Sequence, residues 1–213
     1  MNGITVPMAI VDFIPVVMFF YAACLLLKDL YNKMTKGAYA ILATGSIMVL
    51  IGGFYKALWK ILYALNICDY PLLSESFFPI QGTGFLLVFL ALIGMFTPHN
   101  KKNVTLHSAA PVVMTSSMPF VILQIIGCAG MQFTLFGISL KMKKKNAAVC
   151  YIVAFIFMLA MGYLSAKFDD TPGMHWVAQL TNTISQGALL LGTYILHKAG
   201  LAEAKLWKEK SAN

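Results

Sequence analysis

The chain has no arginine; all sixteen of its basic residues are lysine. That excludes an arginine-ladder voltage sensor and any bidentate guanidinium clamp on a carboxylate or phosphate, and it points to an AT-rich, bacterial genome. Charge of either sign is scarce, at 11% of residues where soluble domains carry about 25%. Cysteine is limited to Cys24, Cys68, Cys128 and Cys150. They lack metal-ligand spacing, and all but Cys68, which falls in a loop, read as small core residues. His99 and His107 come without carboxylates at ligand spacing, so no metal and no cofactor are expected. Also missing are His-Glu-x-x-His, Gly-x-Ser-x-Gly and a nucleotide-binding glycine loop. No lysine stands in the middle of the last apolar run, which excludes a retinal Schiff base.

Long apolar runs are what the sequence does have. With 59% hydrophobic residues in 213, it reads as an all-α polytopic membrane protein, with length for about six or seven spans of roughly 20 residues. The net charge of +8 sits in loops between those runs, where it meets lipid headgroups rather than nucleic acid. Span 1 runs from about Thr5 to Leu27, a retained segment rather than a cleaved signal. Span 2 covers about Ala38 to Leu62, loosened by Gly45, Gly52 and Gly53. Span 3 follows from Phe77 to Phe96. Clear later spans are Ala147 to Ala166 and Met174 to His197.

The region Val104 to Leu140 is long for one crossing and short for two. If it crosses twice, thirteen lysines lie on one side and three, Lys56, Lys60 and Lys167, on the other, a strong positive-inside bias. A single crossing leaves ten against six. The expectation is therefore seven membrane segments with the N-terminus outside and the C-terminus inside. The fourth, about Val104 to Met118, is short and broken, and is tolerable only where other helices shield it. Residues 1–200 form one transmembrane bundle, and residues 201–213 a short amphipathic tail on the inner leaflet.

A faint internal repeat accompanies this topology. Pro15 and Cys24 recur as Pro119 and Cys128, Lys33-Met34 as Lys141-Met142, and the Gln-Gly at Gln81 as the Gln-Gly at Gln186, at offsets of 104 to 108 residues. Two parallel three-helix units joined by a linker helix would result. That arrangement resembles the architecture of the small three-one-three sugar and vitamin carriers. Their Pro-Gln pair is absent, since Pro15 precedes Val16 and Pro119 precedes Phe120.

The polar residues inside the spans carry the functional reading. His175, Gln179, Asn182 and Gln186 fall at i, i+4, i+7 and i+11, one stripe of an otherwise apolar helix that cannot face lipid. Asp12, Lys56 and Gln81 lie at a similar depth on three other spans, with Lys56 the candidate partner of Asp12. Gln124 and Gln132 line the cavity or join helices, and Gly127 and Gly130 permit close backbone approach. Trp59 and Trp176 mark one membrane boundary and Trp207 the other; Trp176 is also a candidate stacking surface for a ligand.

The expectation is a bacterial plasma (inner) membrane carrier, or its substrate-binding subunit, for a small polar metabolite. Its pocket would open outward and be lined by Asp12, Lys56, Gln81, His175, Trp176, Gln179, Asn182 and Gln186. Expected partners are the bilayer, that metabolite, and a partner membrane subunit or second copy. A sensor or scaffold protein, and a lipid-modifying enzyme using Asp12 or the Asp169-Asp170 pair, are the alternatives.

Overall fold

Proline placement decides where the helices break in the structure, a computed structural model that describes residues 5–96, 118–166, 172–204 and 206. Helix α1 (Val6–Val11) gives way to α2 (Phe13–Leu30) at Asp12, three residues before Pro15, whose ring nitrogen cannot donate back to Val11. The same device recurs later. Helix α3 (Lys36–Ala64) is followed by α4 (Pro71–Glu75), which breaks into α5 (Phe77–Gly94) at Ser76, three residues before Pro79. Then come α6 (Met118–Lys141), α7 (Lys145–Ala166) and α8 (Pro172–Lys198).

Among the described residues the fold is all helical, and five helical stretches are long and apolar enough to cross a membrane: 6–33, 36–64, 71–94, 118–141 and 145–164. Helix α8 has 27 residues, ample length for a crossing. Its run of His, Gln, Asn, Ser and Thr lowers its hydropathy below that of the other five.

The six long segments close into a ring, α2–α3–α5–α6–α7–α8 and back to α2, each packed on two neighbours. Glycines set two of these seams. A Cβ on Gly45 of α3 would meet the Gly84 carbonyl oxygen at 2.7 Å, and one on Gly84 would meet that of Gly45 at 2.8 Å, so the α3 and α5 backbones touch. Gly127 does the same for α6 against α5, where a Cβ would come within 2.5 Å of Leu86 N. The glycines of span 2 thus join helices rather than loosen one.

The contacts also give direction. Gly82 meets Phe120, Gly127 meets Phe85 and Gly130 meets Phe89, so α5 and α6 run parallel. Met18 meets Gly187, and Asp29 meets His197; α2 and α8 are parallel too. The other ring neighbours are antiparallel. The chain from 97 to 117, which carries most of the expected fourth segment, lies outside the described residues, as do Asp169, Asp170 and Trp207.

The half of the ring near His197 is filled by apolar side chains, among them Leu26, Leu30, Leu92, Leu135, Ile138 and Leu196, each at most 5% exposed. Phe19 and Phe85 meet edge to face across its middle, centroids 5.7 Å apart. Helix α8 ends in a glycine turn: Gly200 has φ +78°, its N–H donates to the His197 carbonyl, and Leu201 N–H donates to that of Leu196. The chain doubles back there. The described part of the tail is a turn rather than a helix, with Leu201 and Leu206 buried against the bundle.

Candidate functional site

Helix α8 has two partners, and they leave one face free to look into the ring. Toward α7 it presents Ser185, whose hydroxyl donates to the Ala154 carbonyl at 2.9 Å, and Thr193, hydrogen-bonded to the Tyr151 hydroxyl at 3.2 Å. Toward α2 it presents Gly187, Leu190, Leu191 and Tyr194, which border an apolar groove with Met18 and Leu25. At 100° per residue, His175, Gln179, Asn182 and Gln186 fall within about 60° of one another, in line with Thr193 at the edge of the α7 face and short of the α2 face. His175 and Gln179 are buried, at 7% and 3% exposure, and Asn182 and Gln186 are half-buried. Trp176 sits one position off the stripe, about 100° around the helix, and is exposed on the outer wall.

Helix α6 answers from across the ring. Its glycine side faces α5 and Phe133 faces Phe155 of α7, which turns Gln124, Cys128 and Gln132 inward. Gln124 Nε2 donates to Gln81 Oε1 of α5 at 3.2 Å. Gln81 in turn lies in the notch left by Gly52 and Gly53 of α3.

One turn beyond that amide layer is a charged one. Asp12, at the α1–α2 break, forms an ion pair with Lys60, both side chains nearly buried. Sequence spacing favoured Lys56 as the partner; both lysines are within a turn of the carboxylate, but Lys56 is drawn aside over the Phe77 ring, 4.2 Å from its centroid. Trp59 is buried rather than anchored in an interface, and its indole N–H donates to Asp69 at 3.0 Å.

Several buried side-chain atoms in this column have no protein partner: Oε1 of Gln124, Gln132 and Gln186, and Nε2 of Gln179. A primary amide offers two donors and an acceptor with two lone pairs, and a buried polar atom left unsatisfied costs about 1–3 kcal/mol. Gln179 and Gln186 are seven residues apart, roughly 10 Å along the axis, so the column offers hydrogen bonds over the length of a small metabolite. Asp12 and Lys60, at the end of the column, are engaged with each other.

One interaction escaped the sequence reading. Asp29 and His197, each beside a lysine near a helix end, are paired, Nδ1 to Oδ1 at 2.8 Å, with Asp29 2% exposed. Both continue the inward stripes of their helices, at Pro15-Phe19-Ala22-Leu26-Asp29 and Gln186-Thr193-His197, and that periodicity was the available signal. Cys128 is buried as expected, whereas Cys24 lies on the exposed wall of α2. Among the described residues no cluster of His, Cys, Asp or Glu is arranged to hold a metal. No family model matches the chain, and neither a curated protein nor a solved structure is similar to it.

Proposed function

We propose that the protein is a small carrier of the bacterial inner membrane, or the substrate-binding membrane subunit of one, for a small polar metabolite. Its pocket is the polar column inside the helix ring, opening at the Asp12 end toward the outer side. The observation that carries this reading is the set of buried, unpartnered amide atoms on α6 and α8. Amides that served only to join helices would pair with each other, as Gln81 and Gln124 do. Those left over call for a guest with its own donors and acceptors.

Topology supports the same reading. Two parallel helices consecutive in the described order, α5 and α6, fit a further crossing between them and so support a reading of seven segments. The lysine-rich turns after α2, α6 and α8 then face the inside. In this arrangement α2–α3–α5 and α6–α7–α8 are two repeats about an axis along the membrane normal, with α5 beside α6 and α8 beside α2. Parallel repeats of this kind place a substrate site near the midplane between the two units.

The test is thermal unfolding of the purified full chain against sugars, amino acids, nucleosides and vitamins, beside Asn182→Ala. A ligand at 100 times its dissociation constant adds about 2.7 kcal/mol to the wild type. A shift that disappears in a still-folded variant supports the pocket. An absent shift across the panel, with Gln179→Ala and Asn182→Ala already unfolding early, would make the stripe a scaffold.

A further inference from the structure

The charged groups at the Asp12 mouth are not all paired. Among the described residues Asp12 is held by Lys60, and Asp69 accepts from Trp59. Lys56 stands one turn from Lys60 on the same face of α3 and feels both members of the Asp12–Lys60 pair. It forms no ion pair among the described residues. Its ammonium rests over Phe77 at 4.2 Å and Phe78 at 5.7 Å. Aromatic faces attract a cation but accept none of its N–H bonds in the plain sense, so the three donors of Lys56 stay available. Asp12 and Lys60 neutralise each other, and Lys56 is left as an ammonium with no carboxylate in contact among the described residues, at a partly desolvated mouth.

That charge sits directly on the amide layer. Val16, one turn below Asp12, touches the position of a Cβ on Gly53. Gln81, one turn below Phe77, fills the notch at Gly52 and Gly53 and bonds Gln124. Gln124 is thus one hydrogen bond from Gln81, which lies one turn below Phe77 and the Lys56 ammonium that rests on it.

We infer that the substrate is a small organic anion, its carboxylate or phosphate group docked on Lys56 and its hydrogen-bonding body held by the amides below. This rests on the carrier reading and narrows it: neutral sugars and organic cations are discriminated against at the mouth.

The experiment measures binding to the full chain in neutral detergent, from thermal shifts, with pairs that differ only in charge: glutamate and glutamine, nicotinate and nicotinamide, glucose 6-phosphate and glucose. At least one anion is expected to bind about tenfold or more tightly than its neutral twin, the worth of a charge-assisted hydrogen bond. In Lys56→Gln that ratio falls to near one while the neutral twin binds as before, which also shows that the variant is folded. Asn182→Ala weakens both members. Equal binding of both twins by the wild type overturns the inference and leaves the carrier reading standing. A wild type that responds to no member of any pair overturns both. Stabilisation by phosphatidylglycerol that needs Lys56, with no response to the soluble anions, makes the anion a lipid headgroup and overturns a soluble substrate.

Discussion

Asp29 of α2 and His197 of α8 grip each other at the end of the ring opposite the polar column, the imidazole Nδ1 lying 2.8 Å from one carboxylate oxygen and 3.0 Å from the other. With Asp29 2% exposed, removal of the imidazole leaves a buried carboxylate alone, a loss of about 3–5 kcal/mol in comparable pairs. His197→Ala is therefore expected to unfold at clearly lower temperature, and Asp29→Asn in the same chain to recover part of the loss. Equal melting of His197→Ala and wild type in detergent would show that the contact contributes nothing.

Helix seams made by glycine give a sharper test because a second glycine on the same helix serves as the control. A Cβ on Gly127 would stand 2.5 Å from Leu86 N and Phe85 C, both backbone atoms, so α5 and α6 must part to admit it. Overpacking of that kind costs about 1–3 kcal/mol. On the same helix Gly137 has nothing within 4 Å of its Cβ position, and alanine there gains up to about 1 kcal/mol of helix propensity. Thermal unfolding should thus move in opposite directions for Gly127→Ala and Gly137→Ala. A common direction would mean that α5 and α6 do not touch as described.

Much of this architecture was legible because hydropathy and proline act locally. The apolar runs located the helices to within a few residues, and His175 and Gln179 of the i, i+4, i+7, i+11 stripe of α8 are buried, while the face that carries Trp176, Leu180 and Ile184 is exposed. Choices between near-equal partners were not legible. Lys56 and Lys60 are a single turn apart, and what assigns Asp12 to Lys60 is the ring of Phe77, a residue of another helix, drawing Lys56 away. Trp176 was read through its neighbour His175, but adjacent helical residues point about 100° apart, and one faces the ring while the other faces out. Asp29 and His197 were missed because charge near a helix end resembles an interface residue until the partner helix is known to be parallel.

The tail offers a third prediction. Gly200 turns the chain so that Leu201, with no exposure, packs at the end of the core. Lys33 Nζ then donates to the Ala204 carbonyl at 2.7 Å and Lys141 Nζ to that of Leu206 at 3.4 Å, two lysines that occupy matching places in the proposed repeats. A tail lying on the bilayer would contribute little to stability. Leu201→Ala should instead cost about 2–5 kcal/mol, as for other buried leucines, and Gly200→Ala about 1–2 kcal/mol for a left-handed alanine. Unfolding temperatures unchanged by both would return the tail to the membrane surface.

Parallel packing of α5 and α6 predicts which residues are reached from the same face of the membrane. Ser76 begins α5 and Met118 begins α6, while Met95 closes α5 and Lys143 follows α6. In a bundle of simple antiparallel hairpins consecutive helices start at opposite ends, so Ser76 and Met118 would be reached from opposite faces of the membrane. Gly82 against Phe120 and Gly130 against Phe89 place them at the same end. Single cysteines at Ser76 and Met118, in a chain with Cys24, Cys68, Cys128 and Cys150 replaced by serine, should both react with an impermeant maleimide in right-side-out vesicles. Lys143→Cys should react only in inverted ones. The exposed natural Cys68, restored alone, should label with the first pair and so fixes the Asp12 end as the outer one. Labelling of Ser76 and Met118 from opposite sides would remove the extra crossing between α5 and α6, and with it the two-repeat arrangement that centres the polar column.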